Sequence, residues 1–137
     1  MSDVASKPIP EPTPETAEYW AGAARQELMI QRCTQCGRHQ FPPRMLCTAC
    51  SSREVEWVRA RGLAAVRSFT VVRRPVSEAF AEDVPYVVAL VVLDEGPTLM
   101  TNIIACKIEE LRIGMQVTVC FEKRGASATL PQFTPTR

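Results

Sequence analysis

The segment RCTQCGRHQFPPRMLCTACSS, residues 32–52, holds four of the chain's six cysteines and its only histidine. The cysteines form two Cys-x-x-Cys pairs, Cys33/Cys36 and Cys47/Cys50, with ten residues between the pairs. A two-residue gap lets both sulfurs of a pair turn inward while nearby backbone N–H groups point at them. Two such knuckles at short separation can wrap four thiolates around one tetrahedral ion. Zinc is the first expectation for an all-sulfur, closed set. Iron, as in rubredoxin, shares the spacing, and a disulfide pair is the remaining alternative. A closed zinc site leaves no position for water or substrate, so its expected work is structural. Such sites contribute about 10–16 kcal/mol of apparent metal-binding energy to local folding. Gly37 follows the first knuckle and takes positive φ freely. Ser51 stands at the matching place of the second, a slightly strained choice.

Between the knuckles lie His39 and the sequence FPPR, residues 41–44. As a ligand, His39 competes with four better-placed cysteines. As a general base it lacks a nearby nucleophile, so it is expected as an exposed or locally hydrogen-bonded loop residue. The two prolines make FPPR a rigid connector. Cys106 and Cys120 fall in apolar strand contexts and are expected as buried, inert thiols.

Outward from this segment, the chain has the makings of a mainly β protein. Residues 1–12 carry Pro8, Pro10 and Pro12 in a polar setting and read as a disordered or extended tail. Thr13-Pro14-Glu15 reads as a helix start, with a hydroxyl cap and a proline in the first turn. The helix is expected through ETAEYWAGAARQ, with Tyr19, Trp20, Ala23, Ala24 and Leu28 as its buried positions. Gly22 weakens that helix or splits it. LMIQR then leads into the cysteines as a short strand.

After the cysteines come strand patterns: EVEWVRA, LAAVRSFTVVRR, VPYVVALVVLDEG, TLMTNIIAC, QVTVCFEKRG and ATLPQF. A short helix is expected at KIEELRIG, and Asp94-Glu95-Gly96-Pro97 reads as a hairpin turn. Five or six strands with one short helix suggest a small closed barrel of the OB type, which leaves few free edges. A β-sandwich is the alternative. The absence of αβαβ alternation argues against a Rossmann-like fold. The expected organisation is a tail at 1–12, a helical segment and lead-in strand at 13–31, a zinc ribbon at 32–54 and an OB domain at 55–137.

Composition narrows the function. The 137 residues suit one domain or a small domain with an appendage, and 46% hydrophobic residues suffice for a core. A formal net charge of +1 does not suggest a nucleic-acid binder. No apolar run reaches bilayer length, and MSDVASKPIPEPTPE lacks the features of a signal peptide. A cytoplasmic, reducing location is expected, where paired cysteines more often bind metal than form disulfides. Arg44, Arg53, Arg59, Arg61, Arg67, Arg73 and Arg74 stand against only two acids, Glu54 and Glu56, in residues 44–74. Gathered on one surface, they could hold a phosphate-bearing ligand. Otherwise they are a solvated strand face. The loop VSEAFAEDVP, centred near Phe80, is long for a barrel connection and is a second candidate binding element. No acid/base pair, activated nucleophile or phosphate loop is readable, so no catalytic residue is expected.

PTPETAEYW, RCTQCGRHQFPPRMLCTAC, SFTVVRRP, VPYVVALVVLDEGPTLMTNI and LRIGMQVTVCFE occur in that order. Together they resemble the acyl-CoA-associated zinc-ribbon/OB family, long catalogued as a domain of unknown function. The likeness runs from about Pro12 to Phe133. It implies an N-terminal helical segment, a rubredoxin-like zinc ribbon and a C-terminal OB barrel. The family's four metal ligands carry over to Cys33, Cys36, Cys47 and Cys50; Ser51 departs from a frequent glycine. Members commonly act beside thiolase-superfamily enzymes on acyl-CoA thioesters, including aldolases that shorten steroid side chains. The implied role is a non-catalytic, zinc-containing subunit whose partner holds the catalytic residues, in an assembly with two copies of each chain. This chain is similar to the free-standing form. A direct acyl-CoA-binding module is one alternative. A single-stranded nucleic-acid binder using Phe69, Tyr86 and Phe121 is another.

Overall fold

The computed structural model describes residues 6–137. Residues 6–12 carry neither helix nor strand, and the rest of the expected tail, 1–5, lies outside the described residues. The segment 6–12 lies against the barrel. Lys7 pairs with Asp83 at 2.7 Å, and Arg124 Nη1 donates to the Pro8 carbonyl at 3.4 Å. The α-helix α1 spans Ala17–Ala24, shorter at both ends than the sequence suggests. The Thr13 hydroxyl accepts from the Thr16 N–H at 3.2 Å in the turn before the helix, whose own N-cap, Thr16, makes no side-chain cap bond. Gly22 does not split the helix. It is buried, and a Cβ there would strike the Met29 side chain, so glycine permits helix and following strand to touch. Ala23 and Leu28 are buried as expected and Tyr19 and Trp20 half-buried, but Ala24 is exposed on the outer side of α1.

Three short strands form the first sheet: β1 (Met29–Cys33), β2 (His39–Gln40) and β3 (Val55–Arg59), in the order β2-β1-β3. All pairings are antiparallel, with Gln31 opposite both Gln40 and Trp57. EVEWVRA thus pairs with β1 and not within the barrel. The barrel follows: β4 (Leu63–Val72), β5 (Tyr86–Leu93), β6 (Thr98–Ile103), β7 (Gln116–Arg124) and β8 (Ala128–Pro135). Its closed order is β4-β5-β6-β8-β7, with β4 returning to pair with β7. Among the described residues, the only parallel pairing is between β6 and β8. This connectivity is that of a five-stranded OB barrel, and closure rules out the sandwich.

KIEELRIG holds a single 3₁₀ turn, Ile108–Glu110, in place of the expected helix. The long loop carries another, Glu78–Phe80. The hairpin turn forms at Asp94–Pro97, with the Gly96 N–H donating to the Leu93 carbonyl at 2.9 Å.

β5 shows why the barrel forms: Val87, Ala89, Val91 and Leu93 alternate inward and are all buried. They meet Ala64 and Val66 of β4, Leu99 and Ile103 of β6, Val117 of β7 and Phe133 of β8. Leu28, Ile30 and Ala60 belong to the same buried cluster. The three-stranded sheet is therefore rooted in the barrel core.

Candidate metal centre

Cys33 closes β1, and Cys36 sits on the turn after it. Cys47 and Cys50 lie on a matching turn beyond FPPR. The two turns share one backbone design. The Gly37 N–H donates to the Cys33 carbonyl at 2.8 Å, and the Ser51 N–H to the Cys47 carbonyl at 2.9 Å. Both closing residues have positive φ, 79° at Gly37 and 64° at Ser51. The serine accepts the left-handed conformation that glycine takes without cost.

The four sulfurs lie within 4.8 Å of one another, with Cys33–Cys50 at 3.6 Å and Cys36–Cys47 at 3.7 Å. Zinc–sulfur bonds of about 2.3 Å in a tetrahedron place sulfurs roughly 3.8 Å apart, so the cage fits such an ion. Cys33 and Cys47 are buried, Cys36 and Cys50 exposed. Backbone N–H groups aim at the buried sulfurs, from Cys36 to Cys33 at 3.5 Å and from Ala49 and Cys50 to Cys47 at 3.3 and 3.4 Å.

These bonds favour thiolates. The Cys36 N–H leads in holding the Cys33 thiol down to about 6, and the Cys50 N–H leads in lowering Cys47. At Cys50 the Ser52 backbone bond also pulls downward. The crowding sulfur of Cys33, burial and the sulfurs of Cys47 and Cys36 outweigh it, and the thiol sits at about 12. Four sulfurs this close cannot all ionise without a cation among them. Among the described residues, no other group of three or more metal-ligating side chains gathers.

Two glutamines that the sequence reading passed over hold the cage's supporting loop. Gln31 on β1 and Gln40 on β2 are both buried and joined by a 2.8 Å bond from Gln40 Nε2 to Gln31 Oε1. Gln31 also takes the Arg44 N–H at 2.8 Å and donates to the Arg44 carbonyl at 2.9 Å. Gln40 accepts the Thr48 N–H at 2.9 Å and donates to the Leu46 carbonyl at 3.1 Å. The loop carrying the second knuckle is thus clamped at both ends. FPPR adds Phe41, whose ring centroid lies 5.3 Å from that of Tyr19. Period-two patterning marks Gln31 and Gln40 as strand residues. Only the strand pairing shows that they face each other.

His39 sits half-buried on β2, paired with Arg32, and does not join the sulfur cluster. Cys106 and Cys120 are half-buried, not buried as expected. Burial first, then the neighbouring Glu110, raises the Cys106 thiol; burial and then Glu122 raise Cys120. The arginine group is partly committed to acids. Arg44 reaches Glu15 at 3.9 Å, Arg59 reaches Glu27 at 3.6 Å and Arg61 reaches Asp94 at 3.3 Å. Phe69 and Phe121 pack against the core, so they do not form exposed stacking platforms.

A four-thiol ribbon rooted in a five-stranded OB barrel defines a two-part, metal-binding structural class. Residues 20–56 match the rubredoxin-like zinc ribbon domain of ChsH2, and residues 57–122 match the C-terminal OB-fold domain of ChsH2. A DUF35 domain-containing scaffold protein of Methanothermobacter thermautotrophicus is 33% identical over 111 residues, which is 80% of this chain and 83% of the relative. In a solved structure, a chain of the Ltp2-ChsH2(DUF35) aldolase is 36% identical with a TM-score of 0.83, covering 92% of this chain and 98% of that one. A probable enoyl-CoA hydratase alpha subunit of Thermomonospora curvata is 36% identical over 131 residues. That match takes in 96% of this chain but only 40% of the relative's length. The chain belongs to the DUF35 family of zinc-ribbon/OB-fold proteins. Among the described residues, no helix is long and apolar enough to cross a membrane.

Proposed function

We propose that the chain is a non-catalytic scaffold subunit of a cytoplasmic acyl-CoA-processing complex. It holds one structural zinc ion at Cys33, Cys36, Cys47 and Cys50 and associates with a thiolase-superfamily enzyme that carries the catalytic residues. The observation that carries this reading is the likeness to the ChsH2(DUF35) chain of an aldolase that also contains Ltp2, because it runs the length of that chain. The names of two relatives, a scaffold protein and a hydratase alpha subunit, support it.

The chemistry of the donor set supports it as well. When bound, zinc supplies four bonds to sulfur and no position for substrate, so it cross-links chain and does not activate water. The knuckle N–H groups favour the thiolates of Cys33 and Cys47, the glutamine pair fixes the second knuckle, and Leu28, Ile30 and Ala60 transmit that rigidity to the barrel. A rigid body of this kind positions a partner. The partner's pocket then sets the acyl group, a steroid side chain among the candidates. The assembly is expected to hold two copies of each chain.

Coexpression with thiolase-like chains encoded beside this one, followed by native mass spectrometry, tests the proposal. A complex with two copies of each chain and one zinc ion per scaffold chain is the expected mass. A monodisperse lone chain in the presence of every such candidate contradicts it.

A further inference from the structure

The outer face of β5 departs from an antiparallel strand with one wet side. Its outward positions are Val88, Leu90 and Val92, where polar residues belong if water covers them. Opposite Leu90 on β6 stands Met100, 74% exposed. These are the second and third strands of the barrel, the face on which OB folds commonly take ligands.

Beside Met100 the barrel is splayed. β6 and β8 share a single residue pair, Ile103 with Phe133. Next to it, the Gln132 side chain takes over from the backbone, its Oε1 accepting the Asn102 N–H at 3.2 Å. That N–H points away from β5. By the two-residue alternation of the ladder, so do the N–H and C=O groups of Met100 and Thr98. Among the described residues, no strand pairs with that side of these two residues and no backbone bond reaches them there. A groove of about 310 Å³ runs along this edge, walled by Val88 and Met100, by Leu130 and Pro131 of β8, and by Tyr19 and Trp20 of α1. No Lys, Arg, Asp or Glu lines it, although these make up 23% of the chain.

The geometry points to an extended, uncharged segment of the partner enzyme that adds to β6 as an extra strand, with its side chains in the groove between α1 and β8. The occupant is a polypeptide backbone, because the unused groups are a donor and an acceptor on alternate residues, the repeat that a strand presents. It is uncharged, because a charge buried in this groove would find no counter-charge. The lack of cations likewise disfavours a phosphate backbone. Two edge residues engage about three to five residues of the added strand at roughly 3.3 Å per residue. This inference rests on the scaffold reading above, which supplies the partner.

The test uses the full chain and the thiolase-like protein that coelutes with it. Met100→Pro removes an outward donor while sparing the ladder to β5. Met100→Lys puts a charge into the groove. Lys123→Glu, on exposed β7 surface outside the groove, is the control. Wild type and Lys123→Glu are expected to bind the partner equally, and both Met100 variants at least tenfold more weakly. In the wild-type complex, hydrogen exchange at the Thr98 and Met100 amides is expected to slow at least tenfold. Should Met100→Pro fail to fold, Met100→Lys and the wild-type exchange data decide. If wild type binds but both variants bind as tightly, with the two amides unprotected, the partner seats elsewhere and only this inference falls. If the lone chain dimerises and Met100→Lys dissolves the dimer, the occupant is a second copy and the inference is overturned. If wild type binds no partner, the scaffold reading fails and this inference goes with it.

Discussion

Cys33 and Cys47 carry the local chemistry because they are buried and receive backbone N–H bonds. Replacing either with serine leaves three sulfurs and a weaker ligand. Metal content is expected to fall from about one ion per chain to near none by elemental analysis, with loss of ribbon structure. Acid acts on the same bond. The Cys33 thiol is held down to about 6, so its thiolate persists above that pH and is lost as the pH falls through it. Protons compete with metal for these sulfurs, so metal is expected to be retained at neutral pH and released on acidification, as followed with a chromogenic chelator. Tyr19 gives an opposite dependence at high pH. Burial pushes its hydroxyl up from 10 to about 12, so the unfolded chain ionises first and stability falls as pH rises through that window. The difference in unfolding free energy between wild type and Tyr19→Phe is expected to shift by about 2 kcal/mol between pH 9 and pH 12.

At the scale of elements, the glutamine pair decides whether β1 and β2 hold the second knuckle. Gln40→Leu takes away the acceptor of the Thr48 N–H and the donor to the Leu46 carbonyl and is expected to cost about 1–3 kcal/mol. Weaker metal retention against a competing chelator is the matching readout. Gly22→Val drives a branched side chain into Met29 and is expected to lower the melting temperature through overpacking worth about 1–3 kcal/mol. Some elements were legible because their signal is local. The knuckles follow from cysteine spacing and β5 from an unbroken apolar run. Others depend on contacts that a linear reading cannot weigh. EVEWVRA alternates like any barrel strand, and only its register with β1 assigns it to the ribbon. KIEELRIG has helix-forming residues, yet a single 3₁₀ turn suffices to link β6 to β7. Gly22 looked like a break because its neighbour in space, Met29, lies seven residues on.

Over the whole molecule, the ribbon and the barrel share one buried cluster, so the two parts pack as one. The overall class was readable, since cysteine spacing and strand count each point to one part of it. The joining of the two parts was not, because Leu28, Ile30 and Ala60 are ordinary apolar residues until packing places them together. The segment 6–12 is a similar case. Its prolines suggest a disordered or extended tail, and the contacts of Lys7 and the Pro8 carbonyl with Asp83 and Arg124, far along the chain, favour the extended form.

The central claim is that this chain organises acyl-CoA chemistry without performing it. Its most direct test is thioester turnover measured on three purified samples: this chain, its thiolase-like partner, and their complex. The account predicts no turnover by the lone chain, little by the lone partner, and full activity in the complex. Turnover by this chain alone, or a partner equally active and stable without it, would contradict the account.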